Sequence, residues 1–105
     1  MTQYDVLQNL DMSSRRAMPY LLDIQSDLLD ALSTRVVIPL AAQGRGATPP
    51  LTGLMPVFEI DGKAYAMVTP QLAGVPRALL GQKVASLAHD RHRIVAALDV
   101  LISGV

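Results

Sequence analysis

The chain has 105 residues, half of them hydrophobic, no cysteine, and nine basic side chains against nine acidic ones. That length suits one compact domain over 1–105, and the charge balance supplies no positive field to hold a phosphate backbone by counterion release. Without cysteine there is no disulfide framework, thiol nucleophile or thiolate metal site, which fits a cytoplasmic protein.

No basic region leads into an apolar run near the start, so no signal peptide is expected. Prolines and charges break every apolar run well short of the roughly 18 residues that a spanning helix needs, so no membrane partner is expected either. Only Tyr4, Tyr20, Phe58 and Tyr65 are aromatic. The core must therefore be built from Leu, Val, Ile, Ala and Met, and base-stacking platforms are scarce.

In chain order, "YDVLQN" (Tyr4 to Asn9) reads as a strand and "DMSSRRA" as an exposed loop. "YLLDIQSDLL" predicts a second strand, carried chiefly by the alternation of Asp23, Gln25 and Asp27 with Leu22, Ile24 and Leu28. "TRVVIPL" predicts a buried strand in which Pro39 marks an edge or a bulge. The segment Ala41 to Gly53 carries three glycines and two consecutive prolines, the composition of a mobile surface loop.

"PVFEIDGKAYAMVT" predicts a hairpin, because Asp61-Gly62 suits the positive φ angles of a type I′ turn. "PQLAGVPRALLGQ" is punctuated by prolines and glycines and predicts turns with one strand over Arg77 to Leu80. From Ser86 the period becomes helical: Leu87, Ile94, Leu98, Leu101 and Val105 share a face, with Ser86 as N-cap and Gly104 as the stop. Leu98 and Leu101 are assigned to the core, Ile102 to Val105 to an exposed tip. Short strands with one terminal helix predict a mostly β (α+β) fold, a small antiparallel barrel or curled sheet.

Catalytic patterns are weak. His89 and His92 lie three apart around Asp90, but the neighbouring Arg91 and Arg93 oppose a divalent ion and make this a solvated face, so no metal is expected. No nucleophile elbow surrounds any serine, and "GRG" at Gly44 to Gly46 is too short to cradle phosphate. Asp23, Asp27 and Asp30 read as surface and turn residues, the first two sharing a strand face and Asp30 pointing the other way. Binding without catalysis and without a cofactor is the expectation.

"DIQSDLLD", "RVVIPL", "LMPVFEIDGKAYAMVTPQLAGVPRALLG" and "VASLAHDRHRIVAALDVLISGV" follow one another in an order and spacing that resembles the CcdB toxin family over nearly the whole chain. The resemblance implies a homodimeric SH3-like antiparallel barrel with a small extra sheet and a C-terminal helix, the type shared with MazF. It implies a toxin of a type II toxin-antitoxin system that performs no reaction. Such a dimer enters the gap between the A subunits of DNA gyrase and traps the cleaved-DNA complex. A CcdA-like antitoxin silences it and takes part in repressing the operon.

By position, the resemblance makes Leu28, Leu29, Asp99, Ile102, Ser103, Gly104 and Val105 the gyrase contacts. Ser103 stands where the family toxin has tryptophan, and Asp99 where it has a neutral amide. A buried aromatic anchor is often worth about 2 kcal/mol or more, so an alternative is an antitoxin-binding homologue with weakened or lost poisoning. A third reading, a MazF-like endoribonuclease, would use Arg15, Arg16, Arg35 or Arg45 on a transferred phosphate; surface solvation and dimer contacts are the preferred roles of these arginines.

Overall fold

The computed structural model describes residues 1–44, 46–47 and 49–104. Among the described residues, seven strands and one α-helix follow in the order β1 (Asp5–Asn9), β2 (Tyr20–Asp23), β3 (Thr34–Ala42), β4 (Val57–Ile60), β5 (Lys63–Met67), β6 (Ala73–Pro76), β7 (Leu80–Ser86) and α1 (Arg91–Ser103). All the pairings are antiparallel, in one curled sheet of order β4-β5-β3-β2-β1-β7, with β6 also paired to β3.

Strand β3 organises the sheet. One of its edges takes β2 through Val37 to Leu40, while the other takes β6 over Thr34 to Val37 and then β5 over Leu40 to Ala42. Pro39 therefore lies inside a central strand, neither at a sheet edge nor at a bulge. Its carbonyl accepts from Val68 N–H at 2.9 Å on the β5 side. A strand residue turns both backbone groups the same way, so the missing amide faces the break between β6 and β5, where no ladder bond is lost.

Alternation along the strands sorts the apolar residues onto two faces. Val6, Leu22, Ile38 and Leu40 join Phe58, Ile60, Met67, Leu87, Ile94 and Ala97 in the larger core, which α1 covers. Leu7, Leu21, Val37 and Leu80 form a smaller cluster on the opposite face, with Val75 against it. Arg93 fastens α1 to β4, its guanidinium carbon 4.5 Å from the centre of the Phe58 ring and its Nη2 donating to Val57 O at 2.9 Å.

The expected hairpin is present, with Asp61 at φ 55° and Gly62 at φ 81°, the left-handed pair that a type I′ turn needs. At Gly81 the requirement is space: a Cβ there would lie 2.8 Å from Gln8 Cβ, beside the register shifts between β1 and β7.

Four further expectations need correction. The strand from Tyr20 ends at Asp23, because Asp23 Oδ1 accepts from Gln25 N–H at 3.0 Å and Ser26 Oγ from Leu28 N–H at 3.2 Å. These side-chain bonds turn the backbone into a 3-10 turn over Asp27–Leu29. Arg77–Leu79 is likewise a 3-10 turn, and the strands are β6 before it and β7 after it. Ser86 closes β7, and its Oγ accepts from Ala88 N–H at 3.3 Å ahead of the short turn Ala88–Asp90, whose N-cap is Leu87, while α1 starts only at Arg91. The expected loop from Ala41 begins after Ala42, since Ala41 and Ala42 still pair with β5.

Candidate functional site

Two separate exposed protrusions carry the residues singled out by position, Val105 excepted. The first is the end of α1. Ile94 and Ala97 are buried and Leu98 packs against the core, at the three- and four-residue spacing of one helix face. The next residue on that face, Leu101, is 38% exposed, which corrects its assignment to the core: the helix has run past the sheet that would cover it. Ile102 is 80% exposed.

Gly104 ends the helix in the left-handed region at φ 72°, its N–H donating to Val100 O at 3.0 Å. Ser103 Oγ donates to Asp99 O at 2.8 Å, so this hydroxyl is turned back on its own helix. Asp99 is exposed and carries its charge in the last turns, the end of the dipole that disfavours an anion. Val105 lies outside the described residues.

The second protrusion is the knuckle from Ser26 to Leu32. Leu28 is 95% exposed and Leu29 50%. The turn places them outside while polar groups hold it from beneath. Arg35, fully buried, donates from Nε and Nη2 to Asp23 Oδ2 at 3.0 and 2.5 Å and from Nη1 to Asp30 Oδ1 at 3.0 Å; Asp27 Oδ1 stands 3.8 Å from Nη2. Gln25, also buried, accepts from Val36 N–H at 3.0 Å and donates to Leu29 O at 2.9 Å. Among the described residues, no hydrogen bond or ion pair joins the knuckle to the end of α1.

This geometry corrects two assignments. Asp23, Asp27 and Asp30 converge on one guanidinium because the chain turns after Asp23, whereas a continued strand would have sent Asp30 the other way. Arg35 is not a solvated surface arginine; it lies in phase with buried Val37 on β3. An arginine inside a β-branched apolar run, two residues before a valine on the same strand face, is the sequence signal of its burial, though not of its partners.

Charge is unevenly stabilised here. Burial pushes the Asp23 carboxyl above its ordinary value, opposed by the Arg35 hydrogen bonds. Asp30 is held below it by the hydrogen bond and charge of Arg77, whose Nη2 is 3.1 Å from Oδ1. Arg77 also donates to the Asp30 carbonyl and, from Nε at 3.0 Å, to Leu32 O.

Other chemistry finds less support. Arg15 and Arg16 line an open cleft with Gln8, Asn9, Leu10, Pro19 and Tyr20, a lining without carboxylate or imidazole among the described residues. Arg35 is committed to Asp23, and Arg45 lies outside the described residues. His89 and His92 share a shallow depression with Ala88 and Arg91. Among the described residues, no three His, Cys, Asp or Glu side chains are grouped to hold a metal, and no helix is long and apolar enough to cross a membrane. The family model described as "CcdB protein" matches residues 3–104 of the chain.

Proposed function

Since the chain belongs to the CcdB family, whose members are non-catalytic toxins of toxin-antitoxin systems, we propose that it acts in the cytoplasm as a homodimer that binds the A subunit of DNA gyrase. The contacts are Leu28, Leu29, Asp99, Ile102, Ser103, Gly104 and Val105, and a CcdA-like antitoxin is the neutralising partner. One observation carries this reading: α1 outruns its core and holds Ile102 80% exposed at the tip of an ordered helix. An ordered apolar tip loses little conformational freedom on docking. Full burial of an isoleucine side chain is worth roughly 1.5 to 3 kcal/mol.

Induction in the native host, followed by assay of covalent gyrase-DNA complexes and of mRNA integrity, tests the reading. Trapped complexes with intact mRNA are expected. Early mRNA cleavage would replace it with the MazF-like endoribonuclease reading.

A second reading has its own observation. With its hydroxyl spent on Asp99 O, Ser103 offers a target little apolar area and no ring at the position where the family toxin has tryptophan. The chain would then bind antitoxin while poisoning weakly or not at all. Ser103→Trp discriminates: trapping gained only in that variant supports lost poisoning, whereas trapping by the unaltered chain supports the toxin.

A further inference from the structure

From Ser26 to Leu32 the knuckle buries no residue, so it has no apolar anchor of its own. Its position rests on polar links to groups beneath and beside it. Asp27 accepts from Gln3 N–H at 2.9 Å and faces Arg35; Asp30 Oδ1 accepts from both Arg35 and Arg77; Leu29 O and Leu32 O accept from Gln25 and Arg77. Arg77 reaches from the turn after β6, so the knuckle is tied to a segment more than forty residues later in the chain.

An exposed seven-residue loop ordinarily samples many conformations. Here the planar fork of a buried guanidinium fixes two directions by hydrogen bonds, toward Asp23 and Asp30, with the Asp27 carboxylate 3.8 Å away. Burying such a pair is costly in desolvation and is weak evidence of a stability device. Its distinctive product is a defined loop geometry, with Leu28 and Leu29 facing outward.

We propose that Arg35 is a positioning residue for target docking, setting from beneath how Leu28 and Leu29 are presented, with Asp30 extending that control to Arg77. The proposal rests on the reading of these leucines as gyrase contacts. Arg35 touches no target itself.

The test uses Asp30→Asn and Arg77→Met, both at partly exposed positions, beside Arg35→Lys, which keeps the charge and loses the fork. Amide exchange at Leu29, Asp30 and Leu32, whose N–H groups bond within the knuckle, is expected to quicken about fivefold or more, the equivalent of one half-exposed ionic link. Amides of β2 and β3 should be unchanged. Affinity for the gyrase A subunit should fall by about the same factor, and that loss should vanish when Leu28 and Leu29 are already alanine, because positioning acts through them.

Unchanged exchange in all three variants, or an affinity loss that persists in full without the leucines, would overturn the proposal. The two possible failures stay distinct. If Leu28→Ala with Leu29→Ala leaves gyrase binding intact, the docking assignment falls and positioning with it. If the leucines matter and the Asp30 and Arg77 variants bind normally, docking stands and positioning alone falls.

Discussion

Arg35 places Nε and Nη2 on the same oxygen of Asp23, at 3.0 and 2.5 Å, with both side chains out of water. Removing one member leaves the other as an uncompensated buried charge, so Arg35→Met is expected to cost about 3 to 5 kcal/mol. The double variant Asp23→Asn with Arg35→Met should recover part of that loss. Urea unfolding of the two variants beside the parent measures both effects, and equal destabilisation of single and double variants would contradict the account.

Acid stability depends on aspartates that titrate on opposite sides of the ordinary value of 3.8. Burial pushes Asp5 up, but the Thr2 N–H and Lys83 outweigh it and hold it lower; Asp30 is lowered by Arg77. For both, the unfolded chain takes up protons first. Their stabilisation is present above pH 3.8 and is lost as pH falls through their folded values. Asp23 runs the other way: its folded state holds the proton more tightly, so its contribution declines as pH rises from 3.8 through its raised value. Asp30→Asn should therefore shallow the loss of stability below pH 3.8, seen in urea midpoints collected across the acid range.

Ile94 and Ile102 lie on one helix with opposite burial. Ile94→Ala should destabilise by about 2 to 5 kcal/mol through a cavity in the larger core, whereas Ile102→Ala should stay within about 0.5 kcal/mol of the parent. If the helix tip docks on gyrase, only Ile102→Ala separates activity from stability: complex trapping falls while the thermal midpoint holds. A drop in the midpoint for Ile102→Ala would place that side chain in the core.

Gly81→Ala puts a methyl group 2.8 Å from Gln8 Cβ, an atom fixed to the β1 backbone. The two strands must part slightly, at a cost of about 1 to 3 kcal/mol. Gly104→Ala meets open space but must adopt φ 72°, a strain of roughly 1 kcal/mol that frays the last helical turn more than it unfolds the protein. Amide exchange at Gly81's neighbours on β1 and at the end of α1 distinguishes the two outcomes.

The sequence is most legible where requirements are local. Asp61-Gly62 and Gly104 each announce a positive φ, and both turns occur where the residue types place them. The strand pattern also yields the fold class, because alternation reports directly on burial of two sheet faces. It misleads after Asp23, where the alternation of Asp23, Gln25 and Asp27 with Leu22, Ile24 and Leu28 suggests a strand but arises from turn-forming side chains. Arg35 was hidden for a different reason. Its partners come from a segment whose conformation must be known before the convergence is visible. Leu101 shows a third limit, since helical periodicity assigns a face and says nothing of how far the sheet beneath it extends.

The break beside Pro39 divides responsibility along β3. The β4-β5 hairpin takes its register from the larger core, through Phe58, Ile60 and Met67, while β6 takes its register from Thr34 to Val37 and from Arg77's hold on the knuckle. The two ladders share no residue of β3. Insertions in the Asp61-Gly62 turn should thus be absorbed by the hairpin, and sequence drift there can proceed independently of the surface that carries Leu28 and Leu29.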